Sequence, residues 1–135
     1  IETLLERRRE AMAADALKSL LAAQPAAQVR ARLRSMVEGT RYETMVAALQ
    51  GMRDRVDRTH LLPGINVPAL VIGGEEDQSC PPAQMRALAQ AIPGARTVIV
   101  PGAGHLTPAE RPAPVNEALI ELFEGRKVVW KRAGK

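Results

Sequence analysis

Two side chains in the second half of the sequence have types and surroundings suited to acid–base chemistry. Asp77 closes the run Gly73-Gly74-Glu75-Glu76-Asp77, and His105 closes the run Pro101-Gly102-Ala103-Gly104-His105. A carboxylate that accepts a hydrogen bond from one imidazole nitrogen fixes the tautomer of the ring and stabilises its protonated form. The other nitrogen is then free to act as a general base. Asp77 and His105 therefore form a candidate catalytic pair, and we expect Gly102 and Gly104 to allow the tight backbone path that exposes the histidine.

Simpler roles are open to the same residues and their neighbours. Asp77 could cap the helix that follows it, and a histidine after Gly-x-Gly could be an ordinary loop residue. Glu75 and Glu76 are alternative acids, although we expect both to be solvated loop carboxylates. His60 has no partner motif and is interpreted as structural. Cys80, the single cysteine, is interpreted as a small loop or buried residue rather than a catalytic thiol.

The elements that must position the acid and the histidine are predicted from short apolar runs. Val67–Ile72 and Thr97–Val100 predict two strands that are buried on both faces, because neither alternates with polar residues. A helix predicted over Pro81–Ile92 separates them. Strand, helix and strand at this spacing form a right-handed βαβ unit with parallel strands. Parallel strands end at the same edge of a sheet, so the acidic loop and the histidine loop are expected side by side.

The rest of the chain has helical patterns. Residues 1 to about 60 carry three amphipathic segments, of which the second is predicted to end at Gly39 and the third to run from Tyr42 to Met52. A final helix is predicted over Pro108–Glu124, and its expected inward-facing residues are Val115, Leu119, Ile120 and Phe123. Residues 126–135 follow as a tail. The sequence therefore predicts an α/β fold in which a helical segment precedes a βαβα unit with two parallel strands.

Composition and charge argue against several classes of partner. With 135 residues, 46% of them apolar and 25% charged, the chain is long enough for one globular domain and too short for two ordinary ones. The net charge of +4 comes from arginines interspersed with acidic residues, and aromatics are scarce, so we expect no nucleic-acid partner. No apolar run has the roughly 18 residues of a membrane span and no signal peptide is visible, so we expect no membrane partner and a cytoplasmic location. The single cysteine excludes an internal disulfide.

The segment from Leu61 to Phe123 resembles the C-terminal part of the α/β-hydrolase fold family. The matching stretches are Leu62–Ile72, Gly74-Glu75-Glu76-Asp77, Ile92–Arg96, Val100–His105 and Glu110-Arg111-Pro112. Residues 1–60 resemble the helical lid (cap) of such enzymes, and Met52–Arg55 resembles the lid exit of small bacterial esterases and enol-lactonase-like hydrolases. The resemblance implies a partial α/β-hydrolase fold with a lid at 1–60, part of the core at 61–125 and a tail at 126–135.

The resemblance also implies roles for the candidate pair. In that family the Asp of G-x-x-D is the acid of a catalytic triad and the His of G-x-G-H is its base, which implies these roles for Asp77 and His105. The family's nucleophile lies in G-x-S-x-G, before the lid. The serines here are Ser19, Ser35 and Ser79, and none has that context. The implied protein is the C-terminal portion of a serine-dependent hydrolase of small carboxylic esters or lactones, inactive by itself and without a metal or organic cofactor.

A free strand edge raises the question of a partner. A two-stranded sheet leaves the Val67–Ile72 strand with an unpaired apolar edge, and such edges favour association. The edge could be covered by the N-terminal half of the hydrolase fold, as a second chain or a further segment, or by a symmetric copy in a homodimer. In the homodimer the chain would be a non-catalytic, self-associating interaction module. The intact Asp77 and His105 loops favour the enzyme, which we expect to act on a small-molecule ester.

Overall fold

A computed structural model describes residues 2–125 of the chain, with side chains from residue 7 onward. Six α-helices and two β-strands follow one another along these residues. In chain order they are α1 (Glu2–Leu20), α2 (Ala27–Gly39), α3 (Tyr42–Arg53), β1 (Leu70–Gly74), α4 (Pro82–Gln90), β2 (Arg96–Val100), α5 (Thr107–Glu110) and α6 (Pro112–Phe123). Between residues 2 and 125, no helix is both long and apolar enough to cross a bilayer. The predicted tail at 126–135 lies outside the described residues.

The first three helices form where the amphipathic patterns predict them. α1 and α2 pack against each other around the buried residues Leu17, Leu21 and Leu33. The partly buried Leu106, which follows the histidine, packs against this cluster and joins it to the second half of the chain. α2 ends at Gly39, as predicted. α3 buries none of its residues, and Leu49 and Met52 on it are more than half exposed.

The two strands form a parallel pair, which confirms the βαβ prediction. The register runs from Leu70 opposite Arg96 to Gly74 opposite Val100. Successive side chains of a strand point to opposite faces of the sheet, so each face needs its own cover. α6 covers one face in a core made of Val98, Val100, Ala103, Val115 and Ala118. On the other face, the Met85 side chain of α4 fills the space next to Gly73.

The first strand begins and ends later than the sequence pattern predicts. It runs over Leu70–Gly74 rather than Val67–Ile72. Val67 is exposed and Pro68 has no backbone N–H to donate, so pairing starts only where Arg96 opens the second strand. The remaining elements of the unit differ from their predicted bounds by one or two residues, since α4 spans Pro82–Gln90 and β2 spans Arg96–Val100.

The last predicted helix is broken in two, and part of its predicted inward face is exposed. Arg111 has φ −140° and ψ 70°, outside the helical region, because a residue that precedes a proline is sterically disfavoured there. Within α6, Val115 and Ala118 are buried. The other predicted inward residues, Leu119, Ile120 and Phe123, are 36%, 53% and 83% exposed. A sheet of two strands is too narrow to cover the whole apolar face of α6.

Candidate active site

The acid is fixed by the loop that carries it. Asp77 follows β1 and is only 5% exposed. Its Oδ1 accepts two main-chain hydrogen bonds, from the N–H of Ser79 at 2.8 Å and from the N–H of Cys80 at 2.8 Å. Asp77 does not cap α4, because the residue before that helix is Pro81 and no side chain caps it. The loop therefore orients the carboxylate and leaves Oδ2 available to another partner.

That partner is the histidine. Asp77 Oδ2 lies 2.9 Å from His105 Nδ1, although the two residues are 28 positions apart in sequence. The Asp77 side chain is 2% exposed and the His105 side chain is 43% exposed, so the buried end of the pair is the acid. No residue between 7 and 125 forms a hydrogen bond with His105 Nε2. The predicted juxtaposition is thus present, and the nitrogen suited to general-base chemistry has no hydrogen-bond partner among these residues.

The two loops are also joined through their backbones. The N–H of Glu75 donates to the carbonyl of Val100 at 2.9 Å, and the N–H of Glu76 donates to the carbonyl of Ala103 at 2.9 Å. Gly102 has φ +63°, the left-handed conformation that glycine adopts without strain. These contacts extend the parallel pairing past the ends of the strands. The loop that carries the acid and the loop that carries the histidine are therefore connected by backbone hydrogen bonds that continue those of the sheet.

The alternative polar residues lie elsewhere. His60 and Glu75 are exposed, and neither lies in the hydrogen-bonded pair. Glu76 is exposed but is not simply solvated, since its Oε2 accepts a hydrogen bond from the N–H of Ala23 at 2.8 Å. Cys80 is partly buried, and its backbone N–H rather than its thiol contacts Asp77.

None of the three serines is placed as a nucleophile within the described part of the chain. Ser19 lies on α1, where its hydroxyl donates to the carbonyl of Asp15 at 2.8 Å. Ser35 lies within α2. Ser79 follows Asp77 directly and uses its backbone N–H to hold that carboxylate. Among residues 7–125, His105 therefore has no hydroxyl partner on the side of the ring that faces away from the acid.

An apolar groove of about 440 Å³ borders the pair and runs along the free edge of β1. The residues that line it come from β1, from the loops that carry Asp77 and His105, and from α4, α5 and α6: Val71, Ile72, Gly73, Asp77, Cys80, Met85, Leu88, His105, Thr107, Pro108, Val115 and Leu119. α4 packs on one face of the sheet and α6 on the other. The groove is therefore a slot between two layers of helix at an unpaired sheet edge.

One buried charged residue near the pair was not predicted as functional. Glu110, at the end of α5, is 5% exposed, and its carboxylate oxygens accept hydrogen bonds from the N–H groups of Ala22 and Gly104. Its place in the matching stretch Glu110-Arg111-Pro112 was the only signal in the sequence. Local composition does not predict the burial of Glu110, because its carboxylate is bound by the distant backbone N–H of Ala22 as well as by that of Gly104.

Comparison with known proteins gives three findings. A family model described as the alpha/beta hydrolase family matches residues 3–118. A thermophilic esterase from Thermogutta terrifontis superposes with a TM-score of 0.80 and 33% identity, over 91% of this chain and 48% of that one. The enol-lactonase from Burkholderia xenovorans LB400 superposes with a TM-score of 0.74 and 32% identity, over 86% of this chain and 45% of that one.

A sequence relative adds a third activity name and the same pattern of partial coverage. The Mycobacterium tuberculosis (strain CDC 1551 / Oshkosh) protein that carries the name non-heme bromoperoxidase BpoC is 38% identical over 88 residues. The match covers 61% of this chain and 34% of that protein. The chain thus spans about a third of this relative and about half of the two solved structures.

Proposed function

This chain belongs to the alpha/beta hydrolase family, and we propose that it supplies the acid and the base of a serine-dependent hydrolase. In this proposal Asp77 orients His105, and His105 takes the proton from a serine hydroxyl as that serine attacks a carbonyl. The substrate is a small carboxylic ester or lactone. Proton transfer and covalent attack through these groups require neither a metal ion nor an organic cofactor.

The observation that carries the proposal is the 2.9 Å contact between Asp77 Oδ2 and His105 Nδ1. A buried carboxylate at this distance selects the tautomer with the proton on Nδ1, which leaves the lone pair of Nε2 for the hydroxyl proton. The two loop amides that bind Oδ1 hold the carboxylate in place while the imidazole changes its charge. The arrangement has the parts that a general base needs, and within residues 7–125 no serine is placed as its nucleophile.

We further propose that the nucleophile belongs to polypeptide that docks along the free edge of β1. The groove there has an unpaired strand at its base and apolar side chains of α4 and α6 as walls, which suits an added strand with its own apolar side chains. Asp77 and His105 line the same groove, so a serine at the end of that added strand would approach Nε2. This polypeptide is the N-terminal half of the hydrolase fold, as a further segment or as a second chain.

The substrate class is inferred from the proteins that this chain resembles. The esterase and the enol-lactonase are both more than 30% identical to it, and both names denote attack on an acyl carbonyl. Acyl transfer by a serine is also the chemistry that an Asp–His pair supports directly. A small ester or lactone is therefore the substrate that we propose. In this proposal the lid helices determine which acyl lengths are accepted.

A fluorophosphonate probe tests the proposal. The protein that carries this sequence is labelled, and intact masses are read under denaturing conditions. We expect one serine to be labelled, on polypeptide outside this sequence, and we expect His105→Gln to lower the labelling rate by roughly 10³-fold or more. Asp15→Asn, an exposed change on α1, is the matched control and should label at the normal rate. A preparation whose only species is this chain and which takes no label would overturn the proposal.

A second function, a self-associating interaction module, is favoured by the same free edge. The strand edge and the exposed Leu119, Ile120 and Phe123 of α6 would be covered if two copies paired. Two measurements distinguish the two functions. Analytical sedimentation gives the oligomeric state of the protein, and mass spectrometry after fluorophosphonate treatment identifies any labelled polypeptide. A homodimer without a reactive serine supports the module, and a complex with a labelled polypeptide supports the enzyme.

A further inference from the structure

A buried carboxylate joins the histidine loop to the end of the first helix. Glu110 Oε1 accepts a hydrogen bond from the N–H of Gly104 at 2.9 Å. Glu110 Oε2 accepts one from the N–H of Ala22 at 2.8 Å, across 88 positions of sequence. Among residues 7–125, no lysine, arginine or histidine forms an ion pair with this carboxylate, so its hydrogen bonds come from backbone amides.

Both partners of Glu110 are donors, and this makes a carboxylate necessary. An ionised carboxylate accepts at both oxygens and has no proton to give. A glutamine of nearly the same shape has one accepting oxygen, which can still bind one of the two backbone N–H groups. Its NH₂ group would face the other N–H, and these two facing donors would be left unsatisfied. The cost of such a mismatch is high in a buried site. A Glu→Gln change at this position therefore removes one hydrogen bond with little change in side-chain volume.

Further contacts lock the same two segments. The hydroxyl of Thr107 donates to the carbonyl of Gly104 at 2.8 Å, so the main chain of Gly104 is held on both its N–H and its C=O sides. The N–H of Leu106 donates to the carbonyl of Leu20 at 3.2 Å. A β-carbon placed on Gly104 would lie 2.6 Å from the backbone nitrogen of Ala22. The residues on both sides of His105 are thus fastened to the end of α1.

From this geometry we propose that Glu110 is a positioning residue that sets the orientation of His105 by fastening its loop to the end of α1. The inference rests on the proposed role of His105 as the base. Glu110 itself does not touch the imidazole and acts through the Gly104 backbone. Because α1 leads into α2 and α3, the clamp also gives the lid a fixed reference point beside the base.

The experiment compares Glu110→Gln with Glu38→Gln in the protein that carries the fluorophosphonate-reactive serine. Glu38 is an exposed residue of α2 that pairs only with Arg34, at 3.3 Å, so it controls for the loss of a carboxylate. Activity toward a small ester is expressed per labelled serine, well below the melting temperature. For Glu110→Gln we expect kcat to fall roughly 10- to 100-fold with KM within about twofold, because a misplaced base slows the chemical step. Glu38→Gln should change neither.

A merely structural role gives a different result. Glu110→Gln would then have a lower melting temperature but an unchanged kcat per labelled serine, and the proposal would be overturned. A rise in KM with kcat unchanged would equally overturn it, because the clamp would then shape substrate binding and not the base.

A second variant covers the case in which Glu110→Gln does not fold. Thr107→Val keeps the side-chain shape and releases only the carbonyl of Gly104, and we expect a loss in kcat of roughly 3- to 10-fold. An unchanged kcat in Thr107→Val would count against the clamp. Failure of the proposed function is recognised separately, because His105→Gln would then retain full activity.

Discussion

The loops that follow β1 and β2 differ in construction from the first three helices. In the loops, the acid is buried, bound by two backbone amides and paired with the histidine. Among the first three helices, α3 buries no residue, and its contacts are exposed ones such as the ion pair of Arg53 with Asp54. The acid is fixed by hydrogen bonds in a buried site, whereas the side-chain hydrogen bonds at the end of α3 lie at the surface.

In the enzyme that we propose, this difference separates two tasks. Chemistry needs atoms held to a fraction of an ångström, and the loops meet that need with polar contacts to a rigid backbone. Substrate choice needs an adaptable surface, and helices with exposed methionines such as Met36 and Met52 provide one. The two regions meet at the end of α1, where Glu110 and Glu76 bind the consecutive amides of Ala22 and Ala23.

The largest effect is expected at the acid. In Asp77→Asn, the side-chain oxygen can still accept from Ser79 and Cys80, but an NH₂ group then faces the histidine and favours the wrong tautomer. We expect kcat to fall by about 10⁴-fold, as the removal of this charge does in serine triads generally, with little change in folding. Ester hydrolysis and the melting temperature are the two measurements.

The loss of kcat expected for Asp77→Asn can be checked against a control variant, and one outcome would contradict it. Asp15→Asn on α1 removes an exposed carboxylate and should leave kcat unchanged. Normal turnover in Asp77→Asn would mean that the 2.9 Å contact is structural and that Asp77 is not the triad acid.

A smaller effect, on stability, compares the two regions directly. Val100, at the end of β2, is 1% exposed and belongs to the core under α6, whereas Leu49 on α3 is 53% exposed. Val100→Ala leaves a cavity and should lower the free energy of unfolding by about 2 kcal/mol. Leu49→Ala should change it by less than about 0.5 kcal/mol. Denaturant titration of both variants checks this, and equal losses would show that α3 is packed in the assembled protein.

The smallest effect is a change in stability at Asp57, which lies in the segment between α3 and β1. Hydrogen bonds from the side chain and the backbone N–H of Thr59 hold the pKa of Asp57 below its ordinary value of 3.8. A depressed folded pKa means that the charged form contributes stability above pH 3.8 and that this contribution is lost as pH falls through the lower folded value. Asp57→Asn should therefore be slightly less stable at neutral pH, with the difference vanishing in acid.

Melting temperatures of Asp57→Asn and of the unaltered protein, followed from pH 7 down through about pH 2, test the sign. Asp15→Asn again supplies the baseline for removal of an exposed charge. A difference that grows as the pH falls would contradict the expected direction.

The sequence predicted the βαβ unit and the meeting of Asp77 with His105 because both follow from local signals. Apolar runs, glycines and the rule that parallel strands end together are sufficient for that inference. The break at Arg111 was not predicted, because the helix was inferred from the spacing of its apolar residues. That spacing does not include the steric effect of Pro112 on the residue before it. The burial of Glu110 was missed because its two partners depend on how α1 docks, which is a tertiary property.

The separation of the clamped residues along the chain has a consequence for the order of folding. Bringing Asp77 to His105 closes a loop across 28 positions, whereas bringing Ala22 to Glu110 closes one across 88. The entropic cost of closing the longer loop is greater by about 1 kcal/mol, and non-local contacts generally form later. The acid and the histidine can therefore meet before α1 docks, so that α1 closes onto a histidine loop that is already paired with Asp77.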